Sequence, residues 1–134
     1  MVNLIVGSSG TGKTRQLVEK VVDTASNSKG NVICIDKGRK LSLILPSDIR
    51  FIDIGDYKLN SSIAFYGFLI GLCAGDYDLT DVFIDSTMDI LTGNTEVNDF
   101  LDIVSKLSDR TNVNFHFSIC SDDDLVKTHY EFAS

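Results

Sequence analysis

The sequence predicts one α/β domain, a three-layer α/β/α sandwich with helices on both faces of a mostly parallel, five-stranded sheet. Short apolar runs alternate with longer segments of helical periodicity, and this alternation is typical of βαβ units. The length of 134 residues suits a single domain over 1–134 with a core of its own. The chain contains one Pro and no internal repeat or linker, which also favours one continuous domain.

Five apolar runs are predicted to form the strands, namely residues 2–6, 32–35, 51–54, 81–85 and 113–120. The run at 51–54 alternates and is expected at an edge of the sheet. Apolar residues at helical spacing predict helices over 14–25, 60–73 and 95–108, with a short last helix over 125–132. Gly67 and Gly71 lie four residues apart in the second helix, and we expect them to let that helix pack closely on the sheet.

Charge and composition exclude several classes of partner. Twelve Lys and Arg against 19 Asp and Glu give a net charge of -7, so the chain is not expected to bind nucleic acid or anionic lipid. The longest apolar stretch, residues 63–74, is too short to cross a bilayer, and the N-terminal segment is not expected to be a signal peptide, because it has no basic region and reaches glycine after six residues. Cys34, Cys73 and Cys120 are scattered and predict neither disulfides nor a zinc site. The expected location is the cytoplasm.

A glycine-rich motif follows the first predicted strand directly. Its residues are Gly7, Ser8, Ser9, Gly10, Thr11, Gly12, Lys13 and Thr14, which match G-x-x-x-x-G-K-[ST]. The glycines allow successive backbone N–H groups to point at an anion, and the helix that follows directs its unpaired N–H groups and positive dipole at the same place. Lys13 is expected to reach the terminal phosphates of a nucleotide and Thr14 to offer its hydroxyl to Mg²⁺.

A phosphate loop with Mg²⁺ implies a carboxylate at the end of another strand. Asp85 follows three apolar residues at 82–84, at the carboxyl end of a predicted central strand, where ligands of open α/β sheets bind. Asp36 follows a similar run at 32–35 and is the alternative. We favour Asp85 for the Mg²⁺ shell, because the strand that ends at Asp36 directly follows the first helix and is expected to be more peripheral.

The motif together with Asp85 resembles the P-loop NTPase superfamily over nearly the whole chain. The layout is also similar to small stand-alone bacterial P-loop proteins that are loosely labelled as twitching-motility ATPases. The resemblance implies the additional-strand arrangement, in which the strand at 113–120 lies between those at 2–6 and 82–85. It also implies catalytic roles for Lys13 and Asp85, nucleotide contacts over 7–15 including Arg15, and a γ-phosphate sensor at Ser121. The alternative interpretation, a helix N-cap formed by Ser121 with acidic residues after it, is the one we favour.

A positioned base for fast hydrolysis is missing from the sequence. Related ATPases usually place Glu after the metal-site Asp, but Ser86 follows Asp85 here. The three Glu residues are Glu19, Glu96 and Glu131, and only Glu96 could return to the site. Slow turnover is the physical expectation. The arginine best placed to act on a phosphate is Arg39, in the loop after the second strand, and His116 is expected to be structural.

Three functions remain open at this point. The first is Mg²⁺-dependent binding of ATP, with weak or partner-dependent ATPase activity. ATP is the default nucleotide because no guanine-reading motif occurs. The second is a small-molecule or nucleoside kinase, and the third is a non-catalytic, nucleotide-responsive interaction module. The expected ligands are ATP or ADP and Mg²⁺; a protein partner or a homo-oligomer remains open.

Overall fold

The computed structural model describes residues 1–7, 13–59, 61–91, 97–120 and 131–133. Strands and helices alternate along the chain. The strands are β1 (Val2–Gly7), β2 (Asn31–Asp36), β3 (Arg50–Asp53), β4 (Leu79–Ile84), β5 (Asn114–Cys120) and β6 (Glu131–Ala133). The helices are α1 (Lys13–Asn27), α2 (Ser62–Gly75), the short α3 (Thr87–Ile90) and α4 (Val97–Thr111), and 3-10 turns occupy Leu41–Leu43 and Ile54–Tyr57.

The strands form one sheet in the order β3-β2-β4-β5-β1-β6, and every pair is parallel. The five predicted strands are therefore confirmed, with β3 near one edge as expected and β5 between β1 and β4. A sixth, short strand extends the sheet beside β1. The prediction of a last helix is wrong for Glu131 and Phe132, which pair with β1 instead; residues 125–130 lie outside the described part.

Helices cover both faces of the sheet, which gives the α/β/α layering. On one face, Leu17 and Val21 of α1 pack on alternate residues of the central strands, including Ile5, Cys34 and Phe83. On the other face, α2 and α4 bury a larger cluster. In that cluster the rings of Phe65 and Phe100 stack at 5.6 Å, and Phe100 meets Phe117 edge-on at 5.8 Å. Near-continuous apolar strands are what a sheet buried on both faces requires.

Gly67 and Gly71 do not pack against the sheet, so the sequence prediction for them is wrong. Phe65 and Leu69 fill the sheet-facing side of α2. The two glycines lie on the opposite side and are exposed. Among the described residues, no atom outside their immediate surroundings lies within 4 Å of a Cβ built at either position. Large side chains, rather than small ones, therefore set the distance between α2 and the sheet.

Gly30, in contrast, is required by a close approach of two loops. A Cβ at Gly30 would overlap the carbonyl oxygen of Asp78 and the methyl group of Thr80. The same carbonyl accepts a 2.7 Å hydrogen bond from the amide of Asn31, which begins β2. Any side chain at position 30 must therefore push β2 and the start of β4 apart.

We expect Gly30→Ala to lower the free energy of unfolding by about 1–3 kcal/mol, the usual range for an overpacked site. Urea unfolding followed by circular dichroism measures the change. The matched control is Gly75→Ala at the end of α2, where a Cβ meets no described atom within 4 Å. Equal stability of Gly30→Ala and the native protein would show that these loops separate without penalty.

None of the described helices is both long enough and apolar enough to cross a membrane.

Candidate functional site

The carboxyl ends of β1, β5 and β4 bring together the residues that the sequence singled out. β1 ends at Gly7 and α1 begins at Lys13, so the two residues that flank the central part of the predicted phosphate loop belong to this edge. β4 ends beside Asp85. One strand separates β1 from β4, which leaves about 10 Å between their ends. That gap is wide enough for a hydrated cation between a loop on β1 and a carboxylate on β4.

Thr14 and Asp85 meet across this gap. The Thr14 hydroxyl donates a 3.2 Å hydrogen bond to Oδ2 of Asp85, 71 residues further along the chain. Thr14 is exposed, whereas Asp85 is only 5% exposed. The structure thus places the last residue of the glycine-rich motif and the predicted strand-end carboxylate at one point of the sheet edge.

The two oxygens of Asp85 have different partners. Oδ1 accepts hydrogen bonds from the Ser118 hydroxyl at 2.6 Å and from the backbone N–H of Ser86 at 2.9 Å. Oδ2 accepts the bond from Thr14. The backbone N–H of Asp85 donates to the carbonyl of Ile35 at 2.8 Å, which extends the pairing of β4 with β2. Two bonds to Oδ1 fix the carboxylate, so Oδ2 is the oxygen that faces α1.

Ser118 is a site residue that the sequence reasoning missed. It is 3% exposed and lies on β5, between the strands that carry Gly7 and Asp85. The sequence does contain a pattern that could have identified Ser118. Polar residues alternate with apolar ones at Asn114, His116 and Ser118, so all three share one face of the strand. Ser121, the residue predicted as γ-phosphate sensor, lies outside the described residues.

Asp36 ends the neighbouring strand β2 and lies beside Asp85. It is 6% exposed, and its Oδ1 accepts a 2.7 Å hydrogen bond from the backbone N–H of Lys37. Burial raises its pKa, and the negative charge of Asp85 adds to the effect, although hydrogen bonds from Ser86 and Lys37 oppose it. The two aspartates that the sequence offered as alternatives therefore occupy one edge together, in different environments.

Arg39 does not point freely at the site. Its guanidinium lies 3.2 Å from Asp56 and 3.9 Å from Asp53. Hydrogen bonds from the backbone N–H groups of Gly38 and Gly55, together with Arg39, lower the pKa of Asp53. Arg39 therefore belongs to the turn that joins the loops after β2 and β3, and a role as arginine finger would require it to leave these partners.

Other predicted residues are distributed as follows. Arg15 forms an exposed ion pair with Glu19 at 3.4 Å, one turn further along α1. Residues 8–12 of the predicted phosphate loop and Glu96 lie outside the described residues. Glu131 belongs to β6 at the far edge of the sheet, so it does not lie beside Asp85.

His116 is part of a polar network that spans the three central strands. Its ring nitrogens lie 2.8 Å from Oδ1 of Asp81 on β4 and 3.1 Å from Nδ2 of Asn3 on β1. The ring stacks on Phe83 at 4.1 Å. Burial pushes the pKa of Asp81 upward, but the hydrogen bonds from His116 and Thr80 and the charge of His116 outweigh burial and lower it. This arrangement agrees with the structural role expected for His116.

Cys34 lies under the same edge, between the α1 layer and the sheet. Burial, followed by the charges of Asp85 and Asp36, raises its pKa to about 12. The thiol is fully buried and stays protonated at neutral pH. Cys34 is therefore a core residue and not a nucleophile.

The donor atoms at this edge fit a hard cation. A carboxylate oxygen and a hydroxyl are ligands that Mg²⁺ accepts, and Mg²⁺ usually takes few protein ligands and keeps several waters. Within the described residues, no group of three or more His, Cys, Asp or Glu side chains could hold a metal ion by itself. The Asp85 carboxylate and the Thr14 hydroxyl could thus supply two ligands to a hydrated Mg²⁺.

Comparison with protein-family models and with curated proteins finds no match to this chain.

Proposed function

We propose that the protein binds a nucleoside triphosphate, with ATP as the default, together with Mg²⁺ at the carboxyl edge of β1 and β4. The observation that carries the proposal is the hydrogen bond between Thr14 and Asp85 across β5. Nothing in local sequence requires these two residues to meet. Their contact is what a magnesium site shared by a phosphate loop and a strand-end aspartate requires.

The motif and the helix after it supply the phosphate contacts in this proposal. The backbone N–H groups of residues 7–12 and the first turn of α1 would receive the phosphate oxygens, and the ammonium group of Lys13 would neutralise part of their charge. Thr14 and Asp85 would hold the Mg²⁺, which supplies further positive charge at the phosphates when bound. The protein is acidic overall, so these local positive groups determine where a polyphosphate can bind.

Turnover is expected to be slow. Fast hydrolysis usually goes with a Glu that orients the attacking water, whereas the described carboxylate beside Asp85 is Asp36. Its Oδ1 is engaged by the N–H of Lys37, and its side chain is one methylene shorter than that of Glu. A partner that moves the loop after β2 could raise the rate, because this loop carries Lys37 and Arg39.

Titration calorimetry with ATP, GTP and inorganic phosphate in Mg²⁺ tests the proposal. We expect ATP to bind with a dissociation constant below about 1 mM, within the ordinary range for enzyme substrates, and phosphate release below about 1 s⁻¹. Nucleosides added as acceptors should not accelerate ADP formation; acceleration would favour the kinase alternative. Binding without any ADP formation would favour the non-catalytic module. Absence of nucleotide binding by the folded protein would overturn the proposal.

Ser118 gives this proposal a more specific consequence. Ser118→Ala removes the 2.6 Å hydrogen bond that holds Oδ1 of Asp85, so the carboxylate gains freedom to rotate away from Thr14. We expect Mg·ATP to bind about 3- to 10-fold more weakly, which corresponds to one hydrogen bond of ordinary strength, while ATP binding in EDTA changes little. Ser118→Thr, which keeps the hydroxyl, is the control. Equal Mg²⁺ dependence in Ser118→Ala and the native protein would exclude this positioning role.

A further inference from the structure

The outer side of α2 presents an apolar stripe in an acidic protein. Ser62–Gly75 contains no charged residue, although 23% of the whole chain is charged. Phe65 and Leu69 form its buried side. The exposed side, here named the α2 stripe, consists of Ile63, Gly67, Ile70, Gly71 and Ala74. Ile63 is 78% exposed and Ile70 is 39% exposed. Surface helices of globular proteins usually place polar residues at such exposed positions, and isoleucine is usually buried.

The glycines of the stripe do not contribute to the packing of the residues that the structure describes. A Cβ at Gly67 or Gly71 would meet no described atom within 4 Å. Glycine weakens a helix interior relative to alanine, so two glycines there are a local disadvantage, and no contact among the described residues compensates for it. Small residues on a helix surface allow the backbone of another helix to approach closely. The stripe therefore has the composition of a helix contact.

When two copies of α2 pack antiparallel, large side chains of the α2 stripe face small ones. Suppose that two copies of α2 pack antiparallel about a two-fold axis level with the midpoint between Phe68 and Leu69. Residues equally far from this midpoint, one from each copy, then face each other. Ile70 of each copy then faces Gly67 of the other, and Ile63 of each copy faces Ala74 of the other. A two-fold contact uses the same surface twice, and here each large side chain meets a small one.

The charges at the two ends of α2 also fit this arrangement. Lys58 precedes the helix and Asp78 follows it, and both residues are exposed. Antiparallel packing brings Lys58 of each copy to the end of the contact where Asp78 of the other copy lies. The net charge of -7 makes two copies repel elsewhere, so an uncharged helix with opposite charges at its ends is a favourable place for self-association.

We propose that the α2 stripe is the surface through which two copies of this chain associate, with α2 antiparallel to α2 across a two-fold axis. A helix of 14 residues is about 21 Å long and about 10 Å wide. Its contact is therefore much smaller than the roughly 800 Å² per partner of a stable interface. The dimer belongs to the weak class and forms at protein concentrations on the order of 100 μM.

Sedimentation velocity over a concentration series tests this dimer. The native protein should shift from monomer to dimer as the concentration rises toward the millimolar range. Ile70→Lys places two like charges at the axis and should weaken association at least about 10-fold. The control is Leu43→Lys, which adds the same charge at an apolar residue that is 85% exposed and lies in the 3-10 turn after β2. This control should associate like the native protein.

A charge reversal tests the antiparallel orientation. Lys58→Glu should weaken the dimer, and the double variant Lys58→Glu with Asp78→Lys should restore it, because the facing pair is opposite in sign again. Circular dichroism verifies that each variant is folded. A native protein that remains monomeric at the highest concentration would overturn the proposal, and so would an Ile70→Lys variant that associates as tightly as the native protein.

Discussion

Lys13→Ala should bind Mg·ATP about 10- to 100-fold more weakly than the native protein. The lysine begins α1, directly after the glycine-rich segment, and in the proposed complex its ammonium group would supply the positive charge that the motif brings to the phosphates. A hydrogen bond to a charged group contributes about 1.5–3 kcal/mol, and each 1.4 kcal/mol is a factor of ten in affinity. Titration calorimetry of the two proteins under the same conditions measures the ratio.

The control for this experiment is Lys20→Ala. Lys20 lies two turns further along the same helix, so its substitution removes the same charge and the same side-chain volume at a distance from the phosphates. Lys20→Ala should bind Mg·ATP about as tightly as the native protein. If both variants lost affinity equally, the attraction would come from net charge and not from a phosphate loop.

Phe117→Ala should destabilise the fold by about 3–5 kcal/mol, the usual result of removing a buried aromatic ring. Phe117 is fully buried on β5, the strand between β1 and β4, and its ring meets Phe100 of α4 edge-on at 5.8 Å. The substitution leaves a cavity between the sheet and α4 that this rigid centre cannot close. Urea unfolding gives the change in free energy from the shift of the midpoint at constant slope.

Phe51→Ala provides the matched comparison. Phe51 is the same residue type on β3, at the edge of the sheet, and is only partly buried. Less apolar area returns to water there and neighbouring side chains can relax, so the loss should be clearly smaller. If Phe51→Ala destabilised the protein as much as Phe117→Ala does, the core would not be centred on β5.

The sequence predicted most of the fold because its local patterns agree with its tertiary structure. The apolar runs at 32–35 and 82–84 are buried on both faces of a parallel sheet, and such strands show few polar interruptions. The start of α2 has a local cause near the predicted position: the Ser61 hydroxyl caps the helix by accepting a 3.1 Å hydrogen bond from the N–H of Ala64. The last segment was misassigned at Glu131 and Phe132, because helical periodicity in a short segment does not reveal a free strand edge.

The site was only partly readable from the sequence. Gly7, Lys13 and Thr14 belong to one eight-residue motif, so the sequence alone could identify them. Ser118 acts on Asp85 from another strand, and this contact depends on strand order and on the direction of side chains. The sequence offered Asp36 and Asp85 as alternatives because both follow apolar runs; the structure shows that their strands are neighbours.

The spacing of Gly67 and Gly71 was misread for a related reason. The spacing indicates that another structure can approach the helix closely, but it does not indicate from which side. The direction follows from Phe65 and Leu69, whose burial turns the glycines outward. A surface role and a core role share the same spacing, and only the packing of α2 distinguishes them.

The central claim, a magnesium ion shared by Thr14 and Asp85 at a bound triphosphate, is tested most directly by a double-mutant cycle. ATP is titrated into the native protein, Thr14→Val, Asp85→Asn and the double variant, each with Mg²⁺ and with EDTA. We predict that Mg²⁺ strengthens ATP binding to the native protein, that either substitution removes most of this gain, and that the double variant loses little more than one single variant, since residues that share a ligand are not additive. Fully additive losses, or native binding that is the same with Mg²⁺ and with EDTA, would contradict the account.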